Sequence, residues 1–358
     1  MPLATGLRIA AGEKSAGLHL HAFEGRAPGT SRPGAVRRQL MALVGVLALA
    51  CGLASAPALA QSRPKIKVAS LTLPVFNPIV WNIMKARGFD VRNGFDLDIQ
   101  PFPSISAFYA AFVTGEVDAL AGGPTIFQKF RLEGVPVRLF ATGLKLSDLV
   151  VFARDPAINS LADLKGRQLA IDMGSSQYQM VAIYAKARSL NLGTDITTVN
   201  ANFAVSRAQL EAGRVDAAMV AEPLATMIKA QHPEWKIIYN GNDGWKQITG
   251  QEGWEIVAAL RDEAIKRIPD APRRLTAALQ DVAQFINTNT DEADRIAVET
   301  VKLPAGVLKE AVSSRRWDFD VRPIAGNDRK VVWDMFERAV AAGFLPRLPE
   351  EDIIYRAP

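Results

Sequence analysis

A five-residue pattern occurs twice in the chain, as Gly115-Glu116-Val117-Asp118-Ala119 and as Gly213-Arg214-Val215-Asp216-Ala217, 98 residues apart. In each copy a helical segment stops at the glycine, a short strand follows, and the chain reaches a proline, Pro124 or Pro223. A helix-stop-strand unit that recurs at this distance predicts two similar βαβα halves, hence an α/β protein with two lobes. Ligands of open α/β sheets bind outside the carboxyl ends of the strands. Both proline loops lie at such ends, so two facing lobes make a cleft.

The rest of the chain fits this plan. Ile66 to Leu71 and Phe95 to Ile99 alternate as strands, and Asn77-Pro78 reads as an N-cap with a first-turn proline. Phe108 and Phe112 share a helix face that Gly115 ends. Strand signals return at Gln168–Ile171, Ile196–Val199 and Val215–Val220, with helices opening at Gly174-Ser175-Ser176 and running from Ser206 to Ala212. After about residue 255 the pattern is helical. Pro272 opens a stripe of Leu275, Leu279, Val282 and Ile286, Asp291 caps a second helix, Pro304 starts a third, and Asn327-Asp328 precedes a fourth.

Composition matters at one point. Six of the 42 Lys and Arg, two of the 37 Asp and Glu, Cys51 and two of the three His fall in residues 1–60, which leaves 36 basic against 35 acidic residues beyond them. That segment reads as a leader: Arg37-Arg38, an apolar run from Met41 to Leu53 too short to span a bilayer, and Ala58-Leu59-Ala60 before Gln61. Arg37-Arg38-Gln39-Leu40-Met41 is similar to a twin-arginine signal, although Val36 replaces the usual Ser or Thr, and ordinary export fits equally. Cys51 reads as an h-region residue, since Ala48 replaces the leucine a lipid-anchoring cysteine expects. The expectation is a periplasmic, monomeric protein with no nucleic-acid partner, its basic excess being confined to the leader.

Gly115-Glu116-Val117-Asp118-Ala119, Gly122-Gly123-Pro124, Ser160-Leu161-Ala162-Asp163-Leu164-Lys165-Gly166, Gly174-Ser175-Ser176, and Gly213-x-Val215-Asp216-Ala217 with Glu222-Pro223 occur in one order. Together this resembles the substrate-binding proteins of ABC importers for nitrate, sulfonate, taurine and thiamine-precursor pyrimidines. The resemblance covers about residues 65–230. It implies a type II periplasmic-binding-protein fold of Venus-flytrap form and delivery of a small-molecule ligand to a permease in the inner membrane. The boundaries expected are a leader over 1–60, lobe one over 64–147 plus 255–358 with the C-terminal helices packed on it, and lobe two over 150–240. The crossovers are expected near 145–152 and 236–257.

Candidate ligand-binding residues follow from strand ends. Gly174, Ser175 and Ser176 offer free N–H groups, hydroxyls and a helix dipole to an oxyanion, or plain N-capping. The family matches this loop to a ligand contact. Asp172, if it faces the cleft, opposes a strongly charged anion. Gly122, Gly123 and Thr125 follow the lobe-one strand, where glycine admits close backbone approach. Pro74, Phe76 and Asn77 belong to the first loop, and Trp81 reads as pocket wall or core. Glu222 accepts from a ligand N–H or forms an ion pair that fixes its loop; the Trp that often precedes it in the family is Ala221 here. Asn202 lies at another strand end, with Phe203 beside it. Lys145, the one lysine placed to meet a ligand charge, reads more simply as a solvated surface residue, as do Arg315-Arg316, and His232 reads as a cation at a helix end.

Catalysis, cofactors and metals find no residues to work with in this reading. Beyond residue 60 the sequence holds no Cys and only His232, whereas the sulfinate-cleaving and pyrimidine-forming enzymes that the resemblance brings in lean on Cys or His at the cleft. The function expected is capture of a small organic anion such as a sulfonate, with a neutral pyrimidine-like heterocycle as the alternative and an enzyme on the same fold as the alternative of another class.

Overall fold

The computed structural model describes residues 63–356, so the leader features expected in 1–60 lie outside the described residues. Ten strands appear in chain order: β1 (Lys65–Leu71), β2 (Asp96–Phe102), β3 (Ala119–Gly122), β4 (Val137–Thr142), β5 (Val150–Ala153), β6 (Gln168–Ile171), β7 (Thr197–Asn200), β8 (Ala217–Val220), β9 (Lys236–Asn240) and β10 (Val257–Arg261). They build two five-stranded sheets, β2-β1-β3-β10-β4 and β7-β6-β8-β5-β9. β1 pairs parallel with β2 and β3, and β10 runs antiparallel to β3 and β4. The second sheet repeats this: β6 pairs parallel with β7 and β8, and β5 runs antiparallel to β8 and β9. The antiparallel member of each sheet is the strand formed directly after the chain arrives from the other one.

The repeat that opened the sequence analysis has a structural reason. Gly115 and Gly213 sit at φ values of 82° and 68°, in the left-handed region that ends a helix without a Cβ penalty. Val117 and Val215 are buried. Asp118 accepts the N–H of Lys67 at 2.9 Å, and Asp216 accepts that of Gln168 at 2.8 Å. Each aspartate thus ties the start of its strand to the neighbouring parallel strand. An arginine completes each corner, Arg267 on Asp118 and Arg167 on Asp216. Gly213→Ala is expected to destabilise the protein by about 1–2 kcal/mol, the cost of a left-handed L-residue. Urea melts of this variant and of Gly115→Ala should agree within error; no loss at either site would remove the conformational argument.

The helices after residue 261 cover the first sheet. Ala271–Thr288 buries Leu275, Leu279, Val282 and Ile286 in one cluster with Ile66, Val68 and Trp81. Gly326–Ala341 packs on the helix Pro124–Leu132. Four local expectations need correction. The stretch after 255 begins with a strand, β10, whose apolar Val-Ala-Ala-Leu run carries no alternation because both its faces are buried. Asp291 lies inside the first turn of Thr290–Val301 and makes no capping bond. The third helix starts at Val307, after Gly306 in the left-handed region, and not at Pro304. Asn77 is not a cap: the helix Phe76–Ala86 starts one residue earlier, and the Asn77 amide donates to Ala121 O at 2.9 Å, tying helix to β3. Among the described residues no helix is long and apolar enough to cross a membrane.

Candidate ligand-binding cleft

The carboxyl ends of β1 and β3 face those of the second sheet across a cavity of about 50 Å³. Its walls come from both lobes. Leu71, Val75, Phe76, Asn77, Phe108 and Tyr109 line it on one side, and Gln177, Phe203, Ala221 and Glu222 on the other. The crossovers contribute Asp148 and Glu255. The wall is therefore aromatic and apolar with a few convergent polar groups, the usual make-up of a small-molecule site. A space of this size holds about one or two water molecules, so entry of an organic ligand requires the lobes to part.

The polar groups are mostly acids. Asp148, Glu222 and Glu255 are 1%, 1% and 3% exposed. Burial raises the pKa of all three, since a charge taken from water into protein is disfavoured. The Asp148 carboxyl is raised furthest in kind: burial acts first, and the negative charges of Glu255 and Glu222 add to it. Asp148 Oδ1 and Glu255 Oε2 are buried without a hydrogen-bond partner among the described residues. Gln177 donates its amide N–H to Glu255. Glu222 has a compensating cation: Arg316 Nε pairs with it while Arg316 Nη2 donates to Thr226 Oγ1 at 2.9 Å, and Thr226 N donates to Glu222 at 3.1 Å. Tyr109 is half-buried beside Ser176 and Glu255, and loss of water around its hydroxyl raises its phenol pKa.

Of the expected ligand residues, Phe76, Asn77, Gly122 and Glu222 line the cavity. Gly123 and Ser176 meet where the lobes touch: a Cβ on Gly123 would lie 2.1 Å from Ser176 Oγ, so glycine there permits closure. Trp81 is core, its indole N–H donating to Ala69 O at 3.1 Å. Ser175 caps its own helix, accepting Tyr178 N at 3.1 Å and donating to Asp172 O at 2.7 Å. The Gly174 N–H is taken by the Asp172 carboxylate at 3.1 Å, and Asn202 caps the helix Phe203–Glu211 through Val205 N. Pro74 and Thr125 stand outside the lining. Ser175→Ala is expected to cost about 1 kcal/mol of stability, the worth of an N-cap, and to leave ligand affinity unchanged. A tenfold loss of anion affinity in titrations of that variant would restore the oxyanion reading.

Two surface assignments change. Lys145 is buried, its ammonium 3.8 Å from the Trp254 ring centroid and 3.3 Å from Glu252. Arg316 leaves its helix end to reach Glu222. His232 stands at the end of the helix Leu224–Gln231, as expected, and stacks on Trp235 with centroids 3.9 Å apart and planes 6° from parallel. Sequence reasoning missed Asp148, Glu255, Gln177, Tyr109 and Arg316. The usable signal for the first two was position: both stand in segments already read as crossovers, which pass the cleft floor by construction. Among the described residues no group of three or more His, Cys, Asp or Glu is placed to hold a metal ion.

Comparison with known proteins gives the fold and the family. No curated protein sequence matches significantly. The aliphatic sulphonate binding protein SsuA of Escherichia coli superposes with a TM-score of 0.68 at 15% identity, over 83% of this chain and 94% of that one. The alkanesulfonate-binding protein SsuA of Xanthomonas axonopodis pv. citri, bound to MOPS, gives 0.69 at 16%, over 83% and 100%. DszB in complex with biphenyl-2-sulfinic acid gives 0.57 at 17%, over 82% and 96%. These likenesses establish the two-lobed periplasmic-binding-protein fold. A family model described as NMT1/THI5 like matches residues 79–293, more than half of the chain, and the protein belongs to that family.

Proposed function

We propose that the protein is the extracytoplasmic solute-binding component of an ABC importer, closing its lobes on a small organic molecule and presenting it to a membrane permease. The observation that carries this reading is the cavity at the facing strand ends, lined by both lobes and both crossovers. Hinge closure around a ligand is the motion such an arrangement serves. The family and the SsuA likenesses support a binding role, and the expected leader supports export.

The ligand class divides two ways. The names of the SsuA structures favour a sulfonate. The site favours the alternative, a heterocycle or similar molecule that offers N–H donors, because three buried carboxyls face the cavity with one arginine among them. The helix start proposed as an anion cradle already carries the Asp172 carboxylate on Gly174 N. DszB keeps an enzymatic reading in view; against it stand a sequence with no Cys after residue 60 and a His232 stacked on Trp235 outside the cavity lining.

Thermal-shift screening against alkanesulfonates, aromatic acids, nitrate and pyrimidines tests the proposal. Stabilisation by a single compound class without turnover is the expected result. Chemical conversion of the bound compound by pure protein would overturn the binding role.

A further inference from the structure

A larger cavity lies away from the cleft, at the edge of the first sheet. β4 is the last strand there, and two short segments cover its outer side. Ala141 bridges to Pro323 and Leu139 to Ile354, with Ile324 N donating to Phe140 O at 3.2 Å and Tyr355 N to Leu139 O at 2.8 Å. Where these segments meet the first half of the helix Ala271–Thr288, a space of about 880 Å³ is left. Small-molecule sites run to about 300–1,000 Å³, and none of the residues lining this space lines the cleft.

The floor is apolar: Phe140 and Ile324 are buried there, and Pro269, Pro272 and Tyr355 add to the walls. The charged groups are mainly basic, Arg273, Arg329 and Arg356 against the single acid Asp270. Their partner carboxylates are shared. Asp270 Oδ2 meets both Arg273 and Arg274, at 3.1 and 2.8 Å, and Glu351 Oε2 meets both Arg329 and Arg356, at 3.0 and 3.1 Å. Four guanidinium groups thus stand against two carboxylates. Arg329 is the one held inside, its side chain 23% exposed against 75% and 71% for Arg273 and Arg356. The helix Gly326–Ala341 starts at the same cavity without a capping side chain, and its positive dipole end adds to the field. Asp328 in its first turn is taken up by Arg322 at 2.7 Å.

We propose that this cavity is a second ligand site, which takes a small organic carboxylate with an aromatic or aliphatic body. The body covers Phe140, Ile324 and the prolines, and the carboxylate meets Arg329, with Arg273 and Arg356 at the mouth. The planar guanidinium fork matches a carboxylate in shape as well as charge. A neutral molecule of the same shape leaves the excess positive charge unanswered, and a small anion leaves the apolar floor in water. The site shares no residue with the cleft, so the solute-binding reading stands or falls without it.

The experiment is calorimetric titration of the full chain with 2-naphthoate, 4-phenylbutyrate and octanoate, against 2-naphthamide and acetate. At least one of the three large carboxylates is expected to bind, at least about tenfold more tightly than the amide or acetate, and more weakly as salt is raised. Arg329→Gln removes the inner charge, and Ala277→Leu fills the cavity from a half-buried lining position. Each should weaken that binding at least about tenfold, with Arg329→Lys losing less than Arg329→Gln. Cooperative melts identify the variants that fold, and if Arg329→Gln does not, Ala277→Leu decides. Failure of all three carboxylates to bind overturns the proposal. So does binding that neither Arg329→Gln nor Ala277→Leu weakens, which places the compound elsewhere. Equal affinity for 2-naphthamide and 2-naphthoate also overturns it, because the arginines then select nothing.

Discussion

Arg316→Ala is expected to cost about 3–5 kcal/mol of stability at pH 8, because it strands a fully buried carboxylate without its cationic partner. The Glu222 side chain is 0% exposed and Arg316 17%. Arg316 also holds Thr226 Oγ1, so the variant loses a bond that fixes the loop at the end of β8. The pH dependence follows from the direction of the Glu222 shift. Burial raises its pKa and the arginine opposes that rise; removing the arginine raises it further. An acid whose folded pKa lies above its unfolded value contributes stability that is present below the unfolded value and lost as pH rises through the folded one. The variant should therefore lie closer to wild type at pH 5 than at pH 8. Urea denaturation at both pH values measures this. Equal losses at the two would show that Glu222 is not the group left stranded.

Asp148→Asn is expected to act in the opposite direction, stabilising the ligand-free protein by about 1–4 kcal/mol at pH 8 while weakening ligand capture. The amide keeps the shape of the carboxyl and removes its charge. Burial raises both Asp148 and Glu255, and the neighbouring acids add to the rise at Asp148. In the window from the ordinary carboxylate range up through those raised values, the folded protein binds more protons than the unfolded chain, so wild-type stability falls as pH rises. The variant should flatten that slope. Carboxylates paired elsewhere tilt the other way: Asp352 and Asp270 are held low by their arginines against burial, and Glu252, held by Lys246, drops to about 2. Their contribution is kept above the ordinary carboxylate range and lost only below it. Thermal melts from pH 4 to pH 8 should show a maximum that moves upward in the variant. A variant less stable than wild type at pH 8 would mean the aspartate is structural and not reserved for a ligand.

The lobes were legible because the repeat encodes a local necessity. A helix that must stop beside a strand uses a left-handed glycine, and an aspartate that ties adjacent strands uses a fixed offset from it. Gly115 with Asp118 and Gly213 with Asp216 satisfy both conditions, so the pattern survives as sequence. β10 was illegible for the converse reason: a short central strand buried on both faces has no period to display. Within the site, Phe76, Asn77, Gly122 and Glu222 followed from strand-end position. Ser175 caps its own helix, and capping and anion binding ask for the same residue at the same place. Arg316 and Glu222 are 94 residues apart, and Asp148 and Glu255 lie in different crossovers. Only the folded topology puts such residues together, and no local pattern announces it.

The central claim is that the lobes close on a ligand at this cleft. Its most direct measurement is a spin-label distance between Val113→Cys on the first lobe and Val205→Cys on the second, in a chain with Cys51→Ser. Both valines are exposed, so labels there leave the cores intact. With a ligand that stabilises the protein, the distribution is expected to narrow to a single shorter distance, and Asp148→Asn should leave it broad at the same ligand concentration. A distribution that such a ligand leaves unchanged would contradict capture by closure at this site.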